Sequence, residues 1–146
     1  MNKRRVVITG IGTINAVGNN VEDTWKGLLE GKCGIEKVTR FDVSKFSSQI
    51  AGTVKNFEPL NYFEKKEIDK NDLYSQYAMA AAIETVEDSN LLKSDFDNNK
   101  VGVITGVGIG GMQTLEDQAE ILLNKGPRRI SPFFIPKMIG NIAAAH

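Results

Sequence analysis

The feature that most constrains the fold is a six-residue pattern that occurs twice. Val-Ile-Thr-Gly-x-Gly fills residues 7–12 and again residues 103–108. In both places a β-branched run ends in glycines, which is typical of a strand buried on both faces that leads into a tight turn. We therefore predict buried strands at residues 6–9 and 101–105, and we interpret the repeat as two parallel strands that run into glycine turns.

Helical signals alternate with these strands. Asn20 is a suitable N-cap and Gly31 a suitable C′ residue for a first helix that begins at residue 21. Residues 73–88 are rich in alanine, and because small side chains let neighbouring elements approach closely, we predict a central helix there. A further helix is predicted over residues 112–125, where Gly-Pro ends it. The alternation predicts an α/β layered fold with helices packed on a mostly parallel sheet.

Two segments carry weaker signals. Residues 49–54 have the composition of a strand, and the densely charged residues 63–72 predict a surface turn or a short helix. The acidic side chains of the charged segment are predicted to form a solvated face rather than an acid/base pair; they are Glu64, Glu67, Asp69 and Asp72.

Composition excludes several classes of function. The 146 residues suit one ordinary domain, and 18 basic against 18 acidic residues give no net charge, which argues against a chain held mainly by charge to nucleic acid or to an anionic membrane. Cys33 is the only cysteine and His146 the only histidine, so the chain holds no internal disulfide, metal cluster or His-dependent triad. We predict no metal, no cofactor, no membrane span and a reducing, cytoplasmic setting.

One glycine motif suggests a rival function. Gly106-x-Gly108-x-x-Gly111 has the spacing of a dinucleotide-binding loop, whose amides and helix N-terminus hold a pyrophosphate. That fold also needs a following strand that ends in an acidic residue for the ribose, and no Asp or Glu follows Glu120. Dinucleotide binding is therefore disfavoured.

The chain resembles the β-ketoacyl-acyl-carrier-protein synthases from residue 4 to residue 146. It is most similar to the type II elongating enzymes of bacterial fatty-acid synthesis. The resembling segments are Val-Val-Ile-Thr-Gly-Ile-Gly at 6–12, Gly18, Trp25, Phe-Asp at 41–42, Ile-Ala-Gly at 50–52, Gly-Val-Gly-Ile-Gly-Gly at 106–111 and Gly-Pro-Arg-Arg-Ile-Ser-Pro-Phe-Phe-Ile-Pro at 126–136.

The resemblance implies a thiolase-like fold, a homodimer and a decarboxylative condensation of a malonyl carrier with an acyl group held on a cysteine. The family's cysteine and two histidines come after the equivalent of His146. Residues 1–146 are therefore expected to be the amino-terminal part of one synthase domain, an incomplete half that lacks catalytic residues and is inactive alone. The alternative is a non-catalytic half-domain or partner subunit of a condensing enzyme.

The resemblance also implies an acyl-pocket site. Ile109 matches the side chain that gates the acyl pocket, and the flanking Gly108 leaves the backbone free to move. Three further positions match residues that line the far end of that pocket; they are Phe134, Met138 and Ile139.

A second implied site binds the acidic acyl carrier protein in its acyl and malonyl forms. The matching basic residues are Lys65, Lys66, Lys70, Arg128 and Arg129. The sequence departs from the family at Asp69, where relatives commonly have arginine, and at Asn71, where they have methionine.

Overall fold

The computed structural model describes residues 4–146, which form helices and one small sheet. The α-helices and β-strands of these residues are, in chain order, α1 Val21–Leu29, β1 Ile35–Lys37, β2 Ile50–Gly52, α2 Lys65–Ile68, α3 Leu73–Ser89, α4 Met112–Lys125 and α5 Phe134–Met138. Short 3-10 turns occupy Pro59–Asn61, Leu91–Lys93, Asn98–Lys100, Pro127–Arg129 and Ile142–Ala144. Among residues 4–146, no helix is both long enough and apolar enough to cross a membrane.

The chain divides into two compact units that share helix α3. The first unit comprises the chain up to Phe57 together with Ala80–Ser94. The second unit comprises Glu58–Met79 and Asp95–His146. The second unit contains every residue that the sequence predicts for the two sites.

The three long helices confirm the predictions made from local signals. Helix α1 begins after Asn20, whose side-chain oxygen accepts a hydrogen bond from the Asp23 amide at 2.7 Å, and Gly31 has the left-handed φ of 70° that ends it. Helix α3 ends at Ser89, one residue later than predicted, before left-handed Asn90. Helix α4 has the predicted bounds and stops at Gly126.

The predicted parallel sheet is not present in the described part of the chain. Its one sheet is two-stranded and antiparallel, with Ile35 opposite Gly52, Glu36 opposite Ala51 and Lys37 opposite Ile50. Strand β2 confirms the weaker signal at residues 49–54, but residues 6–9 and 101–105 form no strands. The physical reason is the lack of neighbours: a buried parallel strand needs a strand on each side, and these runs instead remain exposed, with Ile8 84% and Ile104 98% accessible.

In the first unit, the segment after residues 6–9 lies directly on helix α3. A Cβ added at Gly10 would lie 2.7 Å from the Ser89 amide nitrogen, so only glycine permits this approach. Two carboxylates one helical turn apart on α3 accept hydrogen bonds from this segment: Asp88 from the Ile11 amide and Glu84 from the Thr13 amide, both at 2.9 Å. The second half of helix α3 is therefore in close contact with the segment at residues 10–13.

Candidate functional site

A buried carboxylate joins two helices of the second unit. Asp72 is 8% exposed and precedes helix α3, where its Oδ1 accepts a hydrogen bond from the Tyr74 amide at 3.3 Å. Its Oδ2 accepts from the amide of Thr114, the third residue of helix α4, at 3.2 Å and from the Thr114 hydroxyl at 2.5 Å. Since an unpaired amide at a helix N-terminus carries partial positive charge, one carboxylate caps both helices.

The glycine loop at residues 106–111 leads into helix α4 and is fixed at its end. The Gly111 amide donates to the Met138 carbonyl at 3.0 Å, and a Cβ at Gly111 would lie 3.0 Å from Asp72 Oδ2. Gly110 has a φ of 94°, which an L side chain rarely adopts. By contrast, a Cβ at Gly108 would meet no heavy atom within 4 Å. The loop is therefore tight at its carboxyl end and open around Gly108.

Tyr74 ties the segment after helix α5 to helix α3. Its hydroxyl donates a hydrogen bond to the Ile139 carbonyl. Burial raises the pKa of the Tyr74 hydroxyl, and the nearby negative charge of Asp72 raises that pKa further. The neutral phenol, which can donate to the carbonyl, is therefore the favoured form in the folded protein.

The predicted acyl-pocket residues occupy the glycine loop and the α5 region. Ile109 is 73% exposed, between Gly108 and left-handed Gly110. Phe134 begins helix α5 and Met138 ends it, and both are half-buried, as is Ile139. The Gly111–Met138 hydrogen bond brings the end of the loop beside the last two of these predicted residues.

The predicted carrier-binding residues are exposed, four of them on two short elements and Lys70 shortly after helix α2. Lys65 and Lys66 open helix α2, and Arg128 and Arg129 lie in the 3-10 turn after helix α4. The Lys70 ammonium lies 5.6 Å from the centre of the Phe133 ring, a cation–π contact next to Phe134. Each of these cations is free to meet solvent or a charged partner.

Asp72 corrects the prediction that the acidic residues of segment 63–72 form a solvated face. Glu64, Glu67 and Asp69 are exposed, but Asp72 is buried and hydrogen-bonded. Neither Asp72 nor Tyr74 appears among the predicted site residues. The only local signal for Asp72 is its place before the helix starting at residue 73, where an aspartate is a favoured N-cap.

The first unit holds a separate polar cavity of about 410 Å³ beside helix α1. Its lining includes Lys32, whose ammonium already donates to the Val17 carbonyl at 2.5 Å. Cys33, next in the chain, is exposed. Across the residues that the structure describes, no three His, Cys, Asp or Glu side chains are grouped to hold a metal ion.

Comparison with known proteins gives a consistent set of matches. Residues 3–146 match the family described as Beta-ketoacyl synthase, N-terminal domain. A curated relative, the 3-oxoacyl-[acyl-carrier-protein] synthase 2 of Vibrio harveyi, is 46% identical over 146 residues, which are 100% of this chain and 35% of that protein. This chain thus spans about a third of the relative's length.

Two solved structures share the fold. The ishigamide ketosynthase/chain length factor is 28% identical with a TM-score of 0.76, over 97% of this chain and 35% of its own. A type II polyketide ketosynthase, solved with its acyl carrier protein and bound to the hexaketide, is 23% identical with a TM-score of 0.78, over 98% of this chain and 37% of its own. The second match supports the fold alone.

Proposed function

The chain belongs to the β-ketoacyl synthase family, and from that premise we propose that it is the amino-terminal part of a 3-oxoacyl-acyl-carrier-protein synthase 2 that elongates fatty acids. The observation that carries the proposal is the 46% identity to an enzyme of that name along the whole chain. Because the chain spans 35% of that enzyme, the activity is proposed for a longer protein that contains these residues.

The proposed reaction is a decarboxylative condensation. An acyl group is held as a thioester on a cysteine that, by the resemblance, follows the equivalent of His146. The malonyl group on its carrier loses CO₂, and the electron pair of the broken C–C bond forms a new bond to the acyl carbonyl carbon. The acyl–sulfur bond then breaks, and the departing thiolate takes up a proton. The described residues contribute the acyl pocket and the docking surface to this reaction.

The acyl pocket is proposed to use Gly108, Ile109, Phe134, Met138 and Ile139. Two features support this role for the loop. Ile109 is an exposed apolar side chain between glycines, and the backbone around Gly108 has open space in which to shift. A side chain so placed can swing aside when an acyl chain enters and return when it leaves.

Lys65, Lys66, Lys70, Arg128 and Arg129 are proposed to dock the acidic acyl carrier protein. All five are exposed in the second unit, as docking requires. The curated relative from Vibrio harveyi is named for an acyl carrier protein, which supports such a partner for the longer protein. Clustered cations raise the encounter rate with an acidic partner more than they raise final affinity.

We further propose that residues 6–9 and 101–105 become strands of a layered, mostly parallel sheet in the longer protein. Their high exposure leaves backbone and apolar side chains available for neighbouring strands. Residues 1–146 would then form one part of a single thiolase-like domain, and two copies of the longer protein would form a homodimer in the cytoplasm.

A second candidate function is that of a non-catalytic half-domain or partner subunit. The observation that favours it is the position of Cys33, the sole cysteine, exposed in a loop of the first unit and outside the proposed acyl site. The coding sequence after His146 separates the candidates. A cysteine motif followed by two spaced histidines supports the enzyme, and a stop codon without them supports the partner subunit.

Acyl loading of the longer protein tests the proposed function. The protein is incubated with an acyl-acyl-carrier-protein and its mass is measured. We expect one acyl group on a cysteine that follows His146, and we expect the matched Cys33→Ser variant to load equally well. Failure of the parent to load, or loss of loading in Cys33→Ser, contradicts the proposal.

A further inference from the structure

The proposed acyl-pocket wall has two halves, the glycine loop and the segment at residues 138–139, and both are held by side chains at the start of helix α3. The glycine loop that carries Ile109 continues into helix α4, whose N-terminus is bonded to Asp72 through Thr114. The segment at Ile139 is bonded to Tyr74 through its carbonyl. Asp72 and Tyr74 lie two residues apart at the start of helix α3, and neither is assigned to the acyl site by resemblance or comparison.

The two halves are also bonded to each other. The Gly111 amide donates to the Met138 carbonyl at 3.0 Å, and Gly111 is buried against that residue, since a Cβ there would lie 3.0 Å from the Met138 Cα. A Cβ at Gly140 would lie 3.2 Å from a Val107 methyl, so the segments also pack on the other side of the loop. The loop and the 138–140 segment therefore form one wall with two external attachments, Asp72 and Tyr74.

Asp72, one of the two attachments, differs in burial from Ile109, the side chain proposed to move. Asp72 is buried, and its carboxylate is satisfied by two amides and a hydroxyl, whereas Ile109 is exposed and flanked by glycines. A gate needs a fixed frame against which one side chain moves, because a wall that shifts as a whole does not define a pocket depth.

We propose that Asp72 and Tyr74 are positioning residues that fix the wall of the acyl pocket and thereby set which acyl chain lengths it accepts. Asp72 acts through Thr114 and the glycine loop, and Tyr74 acts through the Ile139 carbonyl. This inference rests on the proposed function, since it assigns the frame of the pocket that the function requires.

The test uses the longer protein with one hydroxyl removed at a time. Tyr74→Phe removes the bond to Ile139, and Thr114→Val removes the hydroxyl bond to Asp72 while retaining the carboxylate. Thr85→Val is the matched control, because its hydroxyl bonds the Ala81 carbonyl in the other unit. Acyl loading rates are measured for a series of chain lengths, at a temperature where all proteins are folded by circular dichroism.

We expect the ratio of long-chain to short-chain loading to change by about threefold or more in Tyr74→Phe and in Thr114→Val, the size expected from one lost hydrogen bond at the pocket wall. Both changes should have the same direction, because both variants release the same wall, and Thr85→Val should keep the parental ratio. If these hydroxyl groups only stabilised the fold, the two variants would load acyl chains of every length more slowly by the same factor.

Hydrogen exchange gives a second readout that does not need activity. We expect faster exchange of the Gly111 amide in both variants and unchanged exchange there in Thr85→Val. If the parent loads acyl chains and both variants keep its ratio of long-chain to short-chain loading and its Gly111 exchange rate, the positioning role is wrong. The proposed function stands in that case. A parent protein that loads no acyl chain overturns the proposed function and this inference with it.

Discussion

At the scale of single residues, the proposed site combines one exposed side chain with buried or hydrogen-bonded ones. Ile109 projects from a glycine-flanked loop and is 73% exposed. Asp72 is 8% exposed and joins the N-termini of two helices, and Tyr74 holds the Ile139 carbonyl. This contrast in burial supports the proposal that Ile109 acts as a gate while its surroundings stay in place.

Substitution of the gate should narrow the acyl channel in the longer protein. We expect Ile109→Phe to cost about 1–3 kcal/mol for a long acyl chain, or about 5- to 150-fold in loading rate, because an aromatic ring would overfill the acyl channel proposed for the longer protein. Short chains should lose much less. Ile109→Val, which removes one methylene, is the control and should load both lengths. Equal loss for short and long chains in Ile109→Phe would place Ile109 outside the gate.

Tyr74 should make stability depend on alkaline pH. Its raised pKa, due first to burial and then to Asp72, means that its contribution is complete below the unfolded-state pKa of about 10 and is lost as pH rises through the folded-state pKa. Near neutral pH, Tyr74→Phe should lower the free energy of unfolding by about 0.5–1.5 kcal/mol. Denaturant unfolding of the longer protein should show this difference shrinking above about pH 10; a constant difference would contradict the assignment.

At the scale of elements, the three long helices and strand β2 were predictable from local signals, whereas the pairing of strands was not. Asn20, Gly31 and Gly126 specify helix ends through local backbone geometry, so α1 and α4 follow from the sequence. Residues 6–9 and 101–105 have the composition of strands, but pairing depends on neighbours that the described residues do not supply. Local patterns predict what a segment can form, and only the available partners decide what it does form.

The candidate site shows the same difference between what a local pattern predicts and what depends on distant partners. The glycine loop around Ile109 carries a local signal, namely closely spaced glycines after a β-branched run. Asp72 carries almost none, because it ends a charged segment and its decisive partner, Thr114, lies 42 residues away. The hydrogen bond from Tyr74 to Ile139 joins residues that are 65 positions apart, and no local pattern in the sequence predicts it.

Helix α2 and the residues after it should control the encounter with the carrier protein. Residues 65–70 carry three lysines against Glu67 and Asp69, a net charge of +1, and Asp69→Arg raises this to +3. We expect faster association with an acyl carrier protein at low ionic strength, with the gain falling as salt is added.

Asp95→Arg is the matched control, because Asp95 is another exposed carboxylate of the second unit and gives the same change in charge. Stopped-flow association rates at several salt concentrations provide the measurement. An equal gain in both variants would indicate that only net charge matters, and no gain in Asp69→Arg would move the docking surface away from α2.

At the scale of the whole molecule, the chain exposes more surface than is usual for its mass, including large apolar side chains such as Ile8 and Ile104. Its accessible surface is 11581 Å², whereas a folded monomer of 16.0 kDa is expected to expose about 7400 Å². The buried apolar residues of the described chain are few and include Val43, Phe63, Ala80 and Ala143. Exposed apolar surface of this kind is typical of a site that another chain or segment covers.

The isolated 146-residue chain should therefore self-associate. We expect light scattering after size exclusion to show species larger than 16.0 kDa. Replacing Ile8 and Ile104 by lysine should reduce the association, because both lie in the uncovered runs, whereas Leu92→Lys, at a similarly exposed residue outside those runs, should not. A parental monomer with one cooperative unfolding transition would contradict this account of the surface.

The most direct test of the central claim is condensation by the longer protein that contains this chain. The protein is mixed with an acyl-acyl-carrier-protein and malonyl-acyl-carrier-protein, and the carrier-bound products and CO₂ are measured together. The account predicts a 3-oxoacyl product two carbons longer than the starting acyl group, with one CO₂ released for each product, and no product from residues 1–146 alone. Absence of that product from the longer protein, or its formation by residues 1–146 alone, would contradict the account.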